Sequence, residues 1–279
     1  DTIFKIWTAD QINKGSKLIC RQHGGDYGIN KPISHMDHEI DISDKFISWG
    51  WDDKNSSKVI KGPGMIINKK NIKKITEPKI LLVSQCTSRY VHQDLSTLFS
   101  YRSQIYKKKV FNFLSNVDPK LLEIFYLRNK KILEDDNRQE DISYFTNELL
   151  NSFPKIRVSD KKLDIKSDFN SSELVIFFFM QTSFLESLAY NRPTVNVFSC
   201  EDFLITEKVK PYYDDLKKNK IIFESPFEAS KFISENYRNL NDWWKDEKTQ
   251  KSKKNFLSSF FNQDNDNYKK IYNVVRDLL

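Results

Sequence analysis

The chain has 279 residues, a formal net charge of +7, 39% hydrophobic and 14% aromatic residues, enough for one large domain or one domain plus part of another. Mean hydropathy is −0.61. The longest strongly apolar run, Leu174 to Met180, is seven residues, which excludes a membrane-spanning helix of about 20.

The start, Asp1-Thr2-Ile3-Phe4-Lys5, has neither a basic segment nor an apolar stretch, so no signal peptide is expected there. Lacking Met, the chain is expected to lack its true N-terminus. Ile3 to Asn13 reads as a helix and Leu18-Ile19-Cys20 as a strand. The loop Gln22-His23-Gly24-Gly25-Asp26-Tyr27-Gly28 follows, then a strand at Phe46-Ile47-Ser48-Trp49-Gly50. Two strands and about two helices bury no core of their own. Residues 1–51 are therefore expected to be the end of a domain. Residues 52–78, polar and Lys-rich with Gly62-Pro63-Gly64, read as a linker.

From residue 79 the pattern is regular. Lys79 to Ser84 predicts a strand, Leu98 to Asn116 a helix, Leu121 to Leu127 a strand, and Glu140 to Phe153 a helix stopped by Pro154. Ile156-Arg157-Val158 is a short strand. Leu174 to Phe179 is a strand apolar on both faces, as in a helix-covered parallel sheet. Phe184 to Tyr190 (helix), Pro193 to Phe198 (strand), Glu207 to Lys218 (helix) and Lys220 to Phe223 (strand) continue the alternation. Ser225, with Pro226 and Glu228, has the spacing of a capping box. Six strands alternating with helices predict an α/β, doubly wound parallel sheet over residues 79–240, followed by C-terminal helices over 241–279. Ligands of such sheets bind at the carboxyl ends of strands.

Cys20, Cys86 and Cys200 are odd in number and far apart, and read as free thiols of a reducing compartment. His35 and His38 are three apart, but no further ligand type clusters with them at zinc spacing, so no metal is expected. Lys69, Lys70, Lys73, Lys74 and Lys79, and the tail Lys251, Lys253 and Lys254, read either as solvated faces or as attraction to an anion. The anion would be a nucleotide, a lipid-linked acceptor or a membrane surface. No nucleic-acid motif is present, so no nucleic-acid partner is expected.

Three strand ends carry candidate chemistry. In the first loop, Gly24 and Gly25 let backbone approach a ligand and offer N–H groups to an anion, with Gln22 and Tyr27 beside them. His23 there suits phosphate donation or acid–base work; a plain turn with a packed His is the other reading. Gln181-Thr182-Ser183-Phe184-Leu185-Glu186 opens a helix after the strongest strand. Its free N–H groups and hydroxyls suit a phosphate, and Glu186 suits ribose hydroxyls. Simple capping by Thr182 or Ser183, with Glu186 favouring the helix dipole, is the alternative. Arg128, at a strand end, suits a phosphate or stands on the surface. Ser84-Gln85 is a weaker candidate of the same kind.

The Gln22 to Gly28 loop, His38-Glu39-Ile40, Ile42-Ser43-Asp44 and Trp49-Gly50-Trp51 resemble the signature of a transferase family of bacterial surface-carbohydrate synthesis. That family is similar to the Kdo transferases of capsule, lipopolysaccharide and O-antigen assembly. Thr182 to Glu186, Arg192-Pro193-Thr194, Arg128 and Asp242-Trp243-Trp244 resemble its donor-domain positions. The match departs at Asp26, and no Asp-Tyr-Gly run follows Arg128.

The resemblance implies a GT-B-like fold of two Rossmann-type domains with the active site between them. Residues 1–51 would close the acceptor-side domain and 79–240 would bind the nucleotide sugar. It implies a glycosyltransferase that needs no cofactor beyond its donor, CMP-linked if the sugar is Kdo. The acceptor would be a glycan or lipid-linked glycan, and the enzyme cytoplasmic at the inner membrane face, with peripheral membrane contact. Thr182 and Ser183 would hold the donor phosphate, Glu186 the ribose, and the His23 loop would face them. Relatives use a carboxylate nucleophile; Asp10 and Glu39 are the carboxylates available. The alternatives are a nucleotide-sugar epimerase and a truncated nucleotide-binding module without activity.

Overall fold

Two parallel sheets organise the chain, and their apolar residues run into one core. The computed structural model describes all residues except 1, 32–33, 55, 65–76, 86–100, 130–138, 160–163, 201–203, 264–265 and 279. Lys69, Lys70, Lys73, Lys74, Cys86 and the expected helix start at 98–100 lie outside the described residues.

The smaller sheet follows helix α1 (Thr2–Asn13). It holds β1 (Ile19–Arg21), β2 (Lys45–Ser48) and β3 (Val59–Lys61), in that order and all parallel. Helix α2 (Ser34–Ile42) crosses from β1 to β2. The sequence reading gave β3 to a linker. Val59-Ile60 is too short an apolar run to read alone, and it is pairing with Phe46 and Ile47 that makes it a strand.

The larger sheet contains β4 (Ile80–Val83), β5 (Phe125–Arg128), β6 (Arg157–Val158), β7 (Leu174–Phe177), β8 (Thr194–Val197) and β9 (Ile222–Phe223). Their order is β6-β5-β4-β7-β8-β9 and every pairing is parallel. Helices α3 (Tyr101–Asn116), α4 (Gln139–Ser152), α5 (Ile165–Ser171), α6 (Thr182–Ala189), α7 (Lys210–Lys218) and α8 (Pro226–Asn236) lie between and after the strands. Helices α9 (Leu240–Lys245), α10 (Glu247–Phe260) and α11 (Asp266–Leu278) complete the described chain. The strand order reverses between β4 and β7, which is where a doubly wound sheet opens its ligand crevice. One element differs in kind. Leu121–Ile124, expected as strand, is a 3₁₀ turn, because the Leu121 N–H bonds back to the Asp118 carbonyl at 2.8 Å.

Alternation explains the double burial of the central strands. Val175 and Phe177 of β7, with Leu81 and Val83 of β4, face one apolar cluster. Leu174 and Ile176, with Ile80 and Leu82, face the other. The first cluster also takes in Tyr27, Phe46, Trp49 and Trp51 from the smaller sheet. Three short strands gain there the burial that they lack by themselves.

The C-terminal helices tie the two sheets together. Phe256 and Phe260 of α10 join the same cluster. Beyond them, Phe261 meets Trp49 edge-on at 5.3 Å. The Asn262 N–H donates to the Trp49 carbonyl at 2.8 Å, and the Gly64 N–H to the Asn262 carbonyl at 2.7 Å. Among the described residues no helix is long and apolar enough to cross a membrane.

Candidate active site between two strand-end loops

The loop after β1 is shaped by one buried amide. Gln22 Oε1 accepts from the Trp49 N–H at 2.8 Å and from Trp51 Nε1 at 2.8 Å. Its Nε2 donates to the Gly24 carbonyl at 2.7 Å. Gln22 was expected among the anion-binding groups; its amide instead braces the loop against the Trp49-Gly50-Trp51 turn. Gly28 has φ +72°, and a Cβ there would lie 2.8 Å from the Trp51 ring, so only glycine fits.

The same loop reaches the larger sheet. The Gly25 N–H donates to Thr182 Oγ1 at 2.9 Å. A Cβ on Gly25 would lie 2.4 Å from the Thr182 nitrogen. The structure thus brings the His23 loop and the Thr182 loop together, each at the carboxyl end of its own strand. A second seam runs alongside: the Lys31 N–H bonds the Leu204 carbonyl at 2.6 Å, and the Thr206 N–H bonds the Ile29 carbonyl at 2.8 Å.

His23, Tyr27 and Glu39 form one cluster. Tyr27 is fully buried and lies against Phe46. Its hydroxyl is 2.6 Å from His23 Nε2 and donates to Glu39 Oε2 at 3.0 Å. Glu39 Oε1 is 3.3 Å from His23 Nε2. The position of Glu39 on α2 carries its carboxylate to the loop. His35, from the start of α2, stacks on His23 at 5.8 Å. Burial pushes the Asp26 carboxyl up, an effect that His35 and His23 partly oppose. Asp10 does not join this cluster. It lies on exposed α1, where it pairs with Lys14 at 2.6 Å and accepts from Gln11.

On the donor side, α6 follows β7 after the short segment Phe178 to Gln181. The Phe184 and Leu185 N–H groups bond the Gln181 carbonyl. The Thr182 and Ser183 N–H groups have no acceptor among the described residues, so two donors remain at the positive end of the helix. Glu186 is buried on the same helix without a side-chain hydrogen-bond partner among the described residues, and burial pushes its carboxyl up to about 6. The helix ends at Asn191, with φ 57°, a left-handed position that Asn tolerates. Trp244 Nε1 donates to the Asn191 carbonyl at 3.0 Å, and Lys253 Nζ bonds its side chain.

The remaining candidates flank the crevice. Ser84 Oγ donates to Asn129 Oδ1 at 2.7 Å. The Gln85 N–H donates to the Tyr106 hydroxyl at 2.9 Å, while Gln85 Oε1 is buried without a partner among the described residues. Arg128 ends β5 as expected, but its charge is matched inside the protein. Its Nη1 bonds Asp168 Oδ2 at 2.9 Å. Asp168 Oδ1 also takes Lys79 Nζ and Ser159 Oγ, each at 2.6 Å. The sequence reading missed Asp168, since nothing in Ser167-Asp168-Phe169 sets it apart from a surface acid. It also missed Tyr27 as the hub of the His23 cluster, although the four-residue spacing of His23 and Tyr27 was in view.

Comparison with known proteins agrees with this architecture. The family described as LIC12162 family transferase matches residues 1–273. No curated protein matches the chain. Among solved structures, an α,α-trehalose-phosphate synthase (UDP-forming) from Burkholderia vietnamiensis is similar with TM-score 0.52 and 12% identity, over 96% of this chain and 70% of that one. The wall teichoic acid polymerase TagF is similar with TM-score 0.42 and 13% identity, over 94% and 67%. S. aureus MnaA with UDP is similar with TM-score 0.41 and 14% identity, over 88% and 59%. The fold is α/β with parallel sheets, of the GT-B kind. The chain belongs to the LIC12162 family of transferases.

Proposed function

We propose that the chain is a glycosyltransferase that moves a sugar from a nucleotide donor to a glycan acceptor of bacterial surface polysaccharide. The observation that carries this is the Gly25 to Thr182 hydrogen bond. It joins two strand-end loops at the crevice where doubly wound sheets take ligands. Beside it stand two unclaimed N–H groups at the start of α6, suited to the donor diphosphate or phosphate. Glu186, on the next turn, is an acceptor for ribose hydroxyls. His23 carries the proton between acceptor and donor.

If the sugar is Kdo, as in the transferases that the family resembles, the donor is CMP-linked. A lipid-linked acceptor would bring the chain to the inner membrane face, and the net charge of +7 favours an anionic surface. The test is calorimetric titration with CMP, UDP and GDP. Binding of one nucleotide, weakened by Glu186→Ala in a chain that stays folded, supports the reading and names the donor class. Absence of binding by all three, in a folded chain, overturns it for this chain. Turnover of a nucleotide sugar without any acceptor would identify an epimerase instead.

A further inference from the structure

His23 meets two groups through one nitrogen. Nε2 lies 2.6 Å from the Tyr27 hydroxyl and 3.3 Å from Glu39 Oε1. The Tyr27 hydroxyl lies 3.0 Å from Glu39 Oε2. The directions of these contacts follow from counting protons. An ionised carboxylate only accepts, and a phenol holds one proton. If Tyr27 gave that proton to His23, its oxygen would face Glu39 Oε2 lone pair to lone pair. Nε2 would then face Glu39 Oε1 in the same way. With a proton on Nε2, Tyr27 donates to Glu39 and accepts from His23, and all three contacts become attractive. Tyr27 retains its proton, because burial first and Glu39 second push the hydroxyl well above the ordinary phenol range.

The geometry points to Tyr27 and Glu39 as positioning residues that hold neutral His23 in its Nε2–H tautomer and leave Nδ1 to exchange the proton with substrate. This rests on the role of His23 proposed above. The His23 side chain is 66% exposed, and Nδ1 has no hydrogen-bond partner among the described residues. Other titratable groups face the cluster from both sides: His35 from α2, Asp26 from the loop, and Cys20 from β1. None of them is hydrogen-bonded to Nδ1.

In the transfer, the acceptor oxygen forms a bond to the anomeric carbon and its proton passes to Nδ1. The bond from that carbon to the phosphate oxygen breaks, and its electron pair leaves on the nucleotide. The imidazolium formed then has Glu39 beside Nε2 to offset its charge, as a carboxylate orients and stabilises a catalytic His elsewhere. Fixing the tautomer beforehand removes a step in which His23 would otherwise present the wrong nitrogen.

The experiment is nitrogen NMR of the full chain labelled with ¹⁵N-histidine. The chain has four histidines, and His23 is assigned by the signal that His23→Gln removes. Neutral His23 is expected to show a protonated Nε2 and an unprotonated Nδ1. Tyr27→Phe should convert this into a mixture of tautomers. Glu39→Gln leaves the packing of Tyr27 intact and should also reduce the bias, since the new amide supplies its own protons. The Nδ1–H tautomer in the parent, or a tautomer unmoved by both variants, overturns the assignment. The readout needs no turnover, so the catalytic reading is tested separately. Full turnover by His23→Gln, with the tautomer as expected, overturns only the proton-carrying role.

Discussion

The Gly25 amide and the Thr182 hydroxyl are 157 positions apart in sequence and 2.9 Å apart in space. The contact allows no side chain on Gly25, since a Cβ would overlap the Thr182 nitrogen. Gly25→Ala must therefore push the two loops apart. Overpacking of this kind costs about 1–3 kcal/mol. The expected outcome is a lower melting temperature and nucleotide affinity weakened about tenfold. Thermal melts and calorimetry on the variant check it; unchanged values in both would show that the loops separate at no cost.

Glu186 sits in a desolvated place, and its carboxyl is raised from 4.5 to about 6. Folding therefore favours the protonated form. The stability that this contributes is complete below about pH 4.5 and is lost as pH rises through about 6. The difference between the two limits is about 2 kcal/mol. Glu186→Gln should match the parent at pH 4.5 and exceed it by up to that amount at pH 8. Denaturant midpoints at the two pH values measure this. The same variant should bind nucleotide more weakly at pH 8, because a carboxylate accepts ribose hydroxyls better than an amide does.

Asp168 holds Arg128 and Lys79 at once, and all three are buried or nearly so. Removing the acid takes the carboxylate away from both cations. Breaking a buried pair in this way costs about 3–5 kcal/mol. Asp168→Ala should approach unfolding at 25 °C, and Asp168→Asn should be milder because it still accepts hydrogen bonds. Urea denaturation of both variants distinguishes this network from a surface pair, for which the loss would stay below about 1 kcal/mol.

Asn191 closes α6 in a left-handed conformation and is gripped by Trp244 and Lys253. Asn191→Gly keeps the backbone comfortable but loses one side-chain partner of Lys253, which is 8% exposed and still has Gln250. Asn191→Ala loses that partner and also strains the backbone. Both variants should destabilise the chain, by about 1 and about 2 kcal/mol respectively. Melting of the pair tests the order.

The larger sheet was legible because its strands are short apolar runs between amphipathic helices. Leu174-Val175-Ile176-Phe177 has no other reading at that length. The strand-end loops were legible too, since glycines or hydroxyls stand within a few residues after β1 and β7. Pairing across the fold was not. Val59-Ile60 became a strand only through β2. Arg128 read either as a phosphate ligand or as a surface residue, and its buried partner Asp168, 40 positions away with no local mark, was not legible. Gln22 looked like a ligand for the same reason, as Trp49 and Trp51 claim its carbonyl oxygen from outside the loop. Asp10 was singled out by residue type alone, and on α1 it bonds Lys14 and Gln11.

The contact of Asn262 and Phe261 with Trp49 has a consequence for synthesis. Chains emerge from the ribosome amino end first, at about 5–20 residues per second. Trp49 is made well before Phe261, the aromatic residue that meets its ring. Until the residues just after α10 have emerged, Trp49 lacks both its ring partner and the amide that bonds its carbonyl, so the smaller sheet cannot complete its packing while the chain is still being made up to that point.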